Sequence, residues 1–185
     1  MPLHYALTDA LVALVAGWGA LMLWRTGRPL VALGLSLFGL AGVIGTIRIT
    51  SGLIEPLAML HKSVSQLGGI AGLALLLAQI LRDKGLRLRT GVVLGVAIAL
   101  AALAATLPAI GAVVFVLMLV AAIALCLQTS NQLGAAGFAV MLLNVTLVRQ
   151  SDYMGADLSW HLYHLLVATW LLCVTYGFAK APRTA

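Results

Sequence analysis

From residue 5 to residue 178 the chain is a succession of apolar runs separated by short polar or Pro/Gly breaks. Each run is roughly 17–25 residues, the length an α-helix needs to cross the hydrocarbon core of a bilayer. The breaks are residues 25–29 (RTGRP), residues 82–89 (RDKGLRLR), Pro108 with Gly111, residues 128–132 (QTSNQ) and residues 149–157 (RQSDYMGAD). They predict seven helices, over residues 5–24, 30–54, 56–81, 91–107, 109–127, 133–148 and 158–178. Pro56 would open the third helix, since proline suits a first helical turn. The fourth and fifth, parted only by the Pro108 break, could also form one broken re-entrant element.

Composition agrees with a lipid solvent. The 185 residues are 63% hydrophobic and 9% charged, with a mean hydropathy of +1.11. A soluble domain carries about 25% charged residues, and a globule of about 150 residues still leaves about 30% of its chain's surface in water. Soluble, disordered and disulfide-framework classes are therefore excluded. The expectation is an all-α polytopic membrane protein, a seven-transmembrane-helix bundle forming one domain over residues 1–185. Cys126 and Cys173 sit inside apolar runs and act as small hydrophobes. The opening segment MPLHYALTDALVALVAG lacks the cationic region of a signal peptide and reads as the first helix. Glycines four apart, Gly68/Gly72 and Gly91/Gly95, suit close helix packing in lipid, within the chain or between two copies in a homo-oligomer.

Charge sets the orientation. With seven spans, eight of the eleven Lys and Arg residues fall on the side opposite the N-terminus: Arg25, Arg28, Arg82, Lys84, Arg87, Arg89, Lys180 and Arg183. The positive-inside rule makes that side cytoplasmic, so the N-terminus lies outside and the C-terminus inside, as in a bacterial inner membrane. The formal net charge of +6 is then an orientation signal, and nucleic acid is not an expected partner.

Ionisable groups inside a bilayer cost about 2.5–3.5 kcal/mol each on insertion scales and mark function by default. Asp9, Arg48, His61, Lys62, Asp157, His161 and His164 lie within the spans or at their ends. All fall in the half nearest the N-terminus, leaving the cytoplasmic halves almost purely apolar. One polar cavity opening outward accounts for that sorting. In DLSWHLYHLLVATW (residues 157–170), spacings of four and three place Asp157, His161 and His164 on one helical face. Imidazoles and a carboxylate are the usual ligands of catalytic zinc, and two helix-borne histidines one turn apart converge on a metal. His61 would add a ligand from a facing helix. Asp9 would orient a ligand or a metal-bound water, Ser65 would supply a hydrogen bond behind the ligands, and Arg48 would bind a lipid phosphate or a carboxylate. Simpler roles stand beside these: an interfacial His61, an Asp157 favoured by its helix dipole, a hydrogen-bonded His161/His164 pair, solvated His4, Lys62 and Glu55, and Tyr5, Trp24, Tyr153 and Trp160 as interfacial anchors.

The seven-span layout, with Trp160-His161 opening helix 7 and a polar residue four positions before the histidine, resembles the alkaline ceramidase/adiponectin-receptor superfamily of membrane hydrolases. In that superfamily helix 7 carries His-x-x-x-His, helix 2 a histidine with a serine four residues earlier, and helix 3 an aspartate. His161 matches the second helix 7 histidine, Asp157 stands in place of the first, His164 is additional, and His61 lies near the helix 3 aspartate. Helix 2 (GLAGVIGTIRITSGL, residues 39–53) has no histidine; Arg48 and Thr50 are its nearest polar residues. The string His61-Lys62-Ser63-Val64-Ser65 runs opposite to Ser-x-x-x-His. The resemblance implies a zinc-dependent hydrolase of lipid amides or esters. Zinc would be held by His61, His161 and His164 or Asp157, with Asp157 or Asp9 as general base. A non-enzymatic membrane protein (receptor, transporter or assembly factor) binding a solute, proton or partner is the alternative. A haem or quinone protein using His61 and a helix 7 histidine ranks after both.

Overall fold

The computed structural model describes residues 2–149, 151 and 153–180. Among them the chain forms seven α-helices: α1 (Tyr5–Arg25), α2 (Pro29–Thr50), α3 (Ala58–Asp83), α4 (Thr90–Thr106), α5 (Pro108–Gln128), α6 (Gln132–Leu143) and α7 (Ala156–Lys180). A wider-wound π turn, Asn144–Val148, continues α6. Helices α1, α2, α3, α5 and α7 are long and apolar enough to cross a membrane; α4 and the combined Gln132–Val148 segment are shorter. The protein is thus a polytopic, all-helical integral membrane protein.

Local chemistry sets the helix ends. Pro29 and Pro108 open α2 and α5, where a missing N–H costs nothing. Asn131 caps α6, its side chain accepting from the Gly134 amide at 3.0 Å. Gly27, Gly52 and Gly85 follow α1, α2 and α3 with φ of 75°, 74° and 90°, the left-handed residue that ends many helices. Two expected boundaries move accordingly. Helix α2 stops at Thr50 because Gly52 turns the chain, and Pro56 lies in the turns before α3 instead of in its first turn.

Helices α1, α2, α3, α5, α6 and α7 pack in that order around the bundle. Contact between α7 and α1 closes the ring, and α4 lies outside against α3 and α5. The starts of α1 and α7 and the end of α2 meet where Tyr5, Ile49 and Trp160 pack with Ile54. At the opposite end Lys84 after α3 donates to Gln128, the last residue of α5. Fully buried Trp170, Phe138, Phe178, Leu23, Leu35 and Leu76 fill the interior. Helices α2 and α3 touch backbone to backbone: a Cβ on Gly34 would lie 2.8 Å from the Gly72 carbonyl oxygen, and one on Gly72 2.9 Å from that of Gly34. Gly91 and Gly95, by contrast, have nothing within 4 Å, so their spacing does not serve packing within the chain.

Candidate functional site

Asp9, in the second turn of α1, is 1% exposed. It faces the start of α3, the last turns of α2 and the first half of α7, so a carboxylate is surrounded by three other helices. Its Oδ1 lies 2.8 Å from His164 Nε2. His164 Nδ1 lies 2.7 Å from the Trp160 carbonyl oxygen one turn earlier on α7. That second contact fixes which ring nitrogen carries a hydrogen. A carbonyl oxygen only accepts, so Nδ1 carries a hydrogen and donates it to Trp160. A neutral imidazole would then present a bare lone pair at Nε2, and a carboxylate opposite offers only lone pairs. The 2.8 Å approach is a hydrogen bond when Nε2 carries a proton and a bare close contact when it does not.

The second carboxylate oxygen, Asp9 Oδ2, is buried without a hydrogen-bond partner. It faces the backbone of α2 at Gly45. A Cβ at that position would collide with Oδ2 and lie 2.8 Å from Asp9 Cγ and 3.1 Å from His61 Nε2. The Asp9 carboxylate thus packs directly against the bare backbone of Gly45, beside His61, and only glycine leaves it room there.

The remaining expected site residues lie elsewhere. His161 Nδ1 is 3.4 Å from Thr8 Oγ1, and its ring sits 5.1 Å from that of His4. At about 100° per residue, His161 is turned roughly 60° around α7 from His164. Asp157, its side chain 70% exposed, accepts from the Tyr5 hydroxyl and lies 3.9 Å from His4 Nε2. Tyr5 and Trp160 stack at 4.9 Å. These groups form an aromatic, water-facing rim above the buried cluster. Arg48 Nε donates to the Ile54 carbonyl at 2.7 Å and closes the α2–α3 turn, while Ser65 is exposed. Among the described residues no group of three or more His, Cys, Asp or Glu side chains is placed to hold a metal ion. His161 and Asp157 belong to the rim, and His164 already bonds to Asp9. The donors as placed therefore do not fit the three-ligand zinc centre that the resemblance implies.

Two buried polar features were not legible in the sequence. At the end of the bundle opposite Asp9, Arg28, 3% exposed, pairs with Asp83, which also accepts from Gln79 Nε2 at 3.0 Å. The Arg28 guanidinium lies over the Phe178 ring at 5.9 Å. Both charges sit in segments that read as polar loops, so the expectation of an almost purely apolar half is corrected here. The Gln79/Asp83 spacing of four was the available signal. The other feature is Asn144, fully buried in the π turn, whose Nδ2 donates to the Tyr163 carbonyl at 2.9 Å. Between the two ends lies an aromatic layer in which Trp170 meets Phe38 edge-on at 4.6 Å and Phe138 at 6.3 Å. Along α7, Trp170 is about 9 Å beyond His164, and Phe178 about 12 Å further.

No protein-family description, no curated protein and no solved structure matches the chain.

Proposed function

We propose that this membrane protein handles protons, binding and releasing one at the Asp9–His164 pair with His61 beside it. The observation that carries the reading is the pair itself: a carboxylate 1% exposed, 2.8 Å from an imidazole nitrogen whose other nitrogen is committed to a carbonyl. An acid and an imidazole at that distance form a place where a proton could be taken up and given back, and membrane-buried Asp and His groups are the usual stations of proton relays. All seven helices would span the bilayer, with the N-terminus and the cluster facing outward and the basic loops in the cytoplasm, in the arrangement of a bacterial inner membrane. Lipid is the surrounding partner, and the open Gly91/Gly95 face of α4 would suit a second copy. The buried Arg28–Asp83–Gln79 group at the other end favours a transporter over a receptor, because polar groups then flank the aromatic layer on both sides.

The test is proton flux into liposomes carrying the purified protein, a trapped pH-sensitive dye and a valinomycin-imposed potential. Wild-type protein is expected to pass protons several-fold faster than Asp9→Asn, with His164→Gln similarly reduced. Wild-type flux equal to that of empty liposomes overturns the reading. The zinc-dependent lipid hydrolase implied by the resemblance is the second reading. Asp9, His61 and His164 are of the donor types it needs, yet among the described residues no three such side chains are placed to hold a metal ion. Stoichiometric zinc in purified protein, lost in His164→Ala, would place it first.

A further inference from the structure

We infer that His61 is the shuttle that passes protons between the outer water and Asp9. The inference rests on reading the Asp9–His164 pair as a proton site and adds the residue by which that site is reached. Its first support is position. His61 is half-buried in the opening turns of α3, where residues 58–66 include no buried residue and Lys62, Ser63, Ser65 and Gln66 are exposed. The imidazole is therefore within reach of the outer water. Its Nε2 and the Asp9 carboxylate also meet the same stretch of bare backbone: a Cβ on Gly45 would lie 3.1 Å from Nε2 and 2.8 Å from Asp9 Cγ. The second support is the freedom of the ring. Among the described residues no hydrogen bond or ion pair engages either nitrogen of His61, whereas both nitrogens of His164 are in close polar contact. A partly exposed side chain without such ties changes rotamer in picoseconds to nanoseconds.

The chemistry needs no further group. His61 takes a proton from hydronium, an N–H bond forming as an O–H bond breaks and water is left. Turned toward Asp9, it gives a proton to the unpartnered Oδ2, an O–H bond forming as N–H breaks, and the ring returns to neutral. Release runs the same steps backwards. Imidazole suits this work because its ordinary titration lies close to neutral pH. The rim offers no equal route. Trp160 covers His164 from that side, its indole stacked on Tyr5 at 4.9 Å and centred 4.6 Å from the His164 ring. An indole N–H donates and cannot accept, and this one points at the Tyr5 carbonyl oxygen at 3.4 Å. His161 is occupied with Thr8 and with the rings of His4 and Tyr5.

Liposome flux of His61→Ala and His61→Gln tests the shuttle, in weak buffer and again with imidazole equilibrated across the membrane. Each rate is compared with wild type and with empty liposomes at the same imidazole concentration. In weak buffer both variants are expected to pass protons several-fold more slowly than wild type, while His161→Ala keeps the wild-type rate. Free imidazole is expected to restore the alanine variant, where the lost ring leaves space for it. Pyrazole, a ring of the same size that is not protonated near neutral pH, should restore nothing, which separates shuttling from filling of that space. His61 variants that conduct like wild type overturn the inference, as does a slowed alanine variant that imidazole fails to restore or that pyrazole restores equally. Should the alanine variant fail to fold, the glutamine variant decides: a several-fold loss supports the shuttle and a wild-type rate overturns it. Wild type no faster than empty liposomes rejects the proton site and the shuttle together. A conducting wild type with unslowed His61 variants rejects the shuttle alone.

Discussion

Asp9 and His164 depend on each other, and the dependence is measurable. Removing one member of a buried charged pair typically costs about 3–5 kcal/mol, because the survivor is left uncompensated. Asp9→Ala and His164→Ala should each destabilise the protein by about that much. The double variant should cost little more than either single, and a double-mutant cycle on unfolding free energies reports the coupling. His161→Ala, which removes a long contact to Thr8 and ring contacts with His4 and Tyr5 at the half-exposed rim, should stay within about 1 kcal/mol of wild type. A large loss at His161 would show that the rim matters as much as the cluster. This contrast also marks how far single residues could be read in advance. Asp9, His61 and His164 were legible because each is an ionisable group in an apolar run. Which helix 7 histidine points inward was not legible, since residues three apart share a broad face and differ by only about 60° around the helix. Arg48 fell to a local cause, the carbonyl of Ile54 six residues on, that no spacing rule contains.

The element scale is governed by how closely backbones approach. Gly34 and Gly72 bring α2 and α3 together so tightly that an added Cβ on either meets a carbonyl of the other, and backbone cannot step aside as a side chain can. Gly72→Val should therefore cost at least about 1–3 kcal/mol, the range for overpacked cores. Gly91→Ala, facing open space, should leave melting of the detergent-solubilised monomer unchanged. Parallel thermal melts check both. Sequence spacing marked Gly72 and Gly91 alike, and only their neighbours differ. The helices themselves were readable, since runs of apolar residues bounded by Gly and Pro leave few alternatives in lipid. Their finer endings were less so. The turns around Pro56 replaced an expected helix start, and the π turn at Asn144 has no signature in a stretch of Leu, Asn, Val and Thr. That turn places the Asn144 amide against the Tyr163 carbonyl, the residue before His164, so an illegible detail helps to seat a legible one.

Across the whole molecule two buried polar groups sit at opposite ends of an aromatic middle. The Arg28–Asp83 pair ties the α1–α2 turn to the end of α3, where it holds the bundle shut. Arg28→Met and Asp83→Leu should each be strongly destabilising, whereas the combined variant should recover most of the loss, as replaced ion pairs in apolar surroundings often do. Unfolding of the three variants in detergent tests this, and a combined loss equal to the sum of the singles would show that the two side chains act separately. The general class, a helical membrane protein, follows from hydropathy alone. The inward placement of Arg28 and Asp83 does not, because residues at span boundaries read as loop whether they face water or fold back over the core.

The ring order carries a further implication for how such a chain is made. Helix α1 leaves the ribosome well before α7, yet the two are neighbours in the folded bundle. From the moment α1 enters the bilayer until α7 docks, Asp9 has no imidazole from His164 beside it. A chain truncated before α7 therefore keeps α2 and His61 around the Asp9 carboxylate but lacks the His164 imidazole, and in detergent it should unfold more readily than the chain that includes α7.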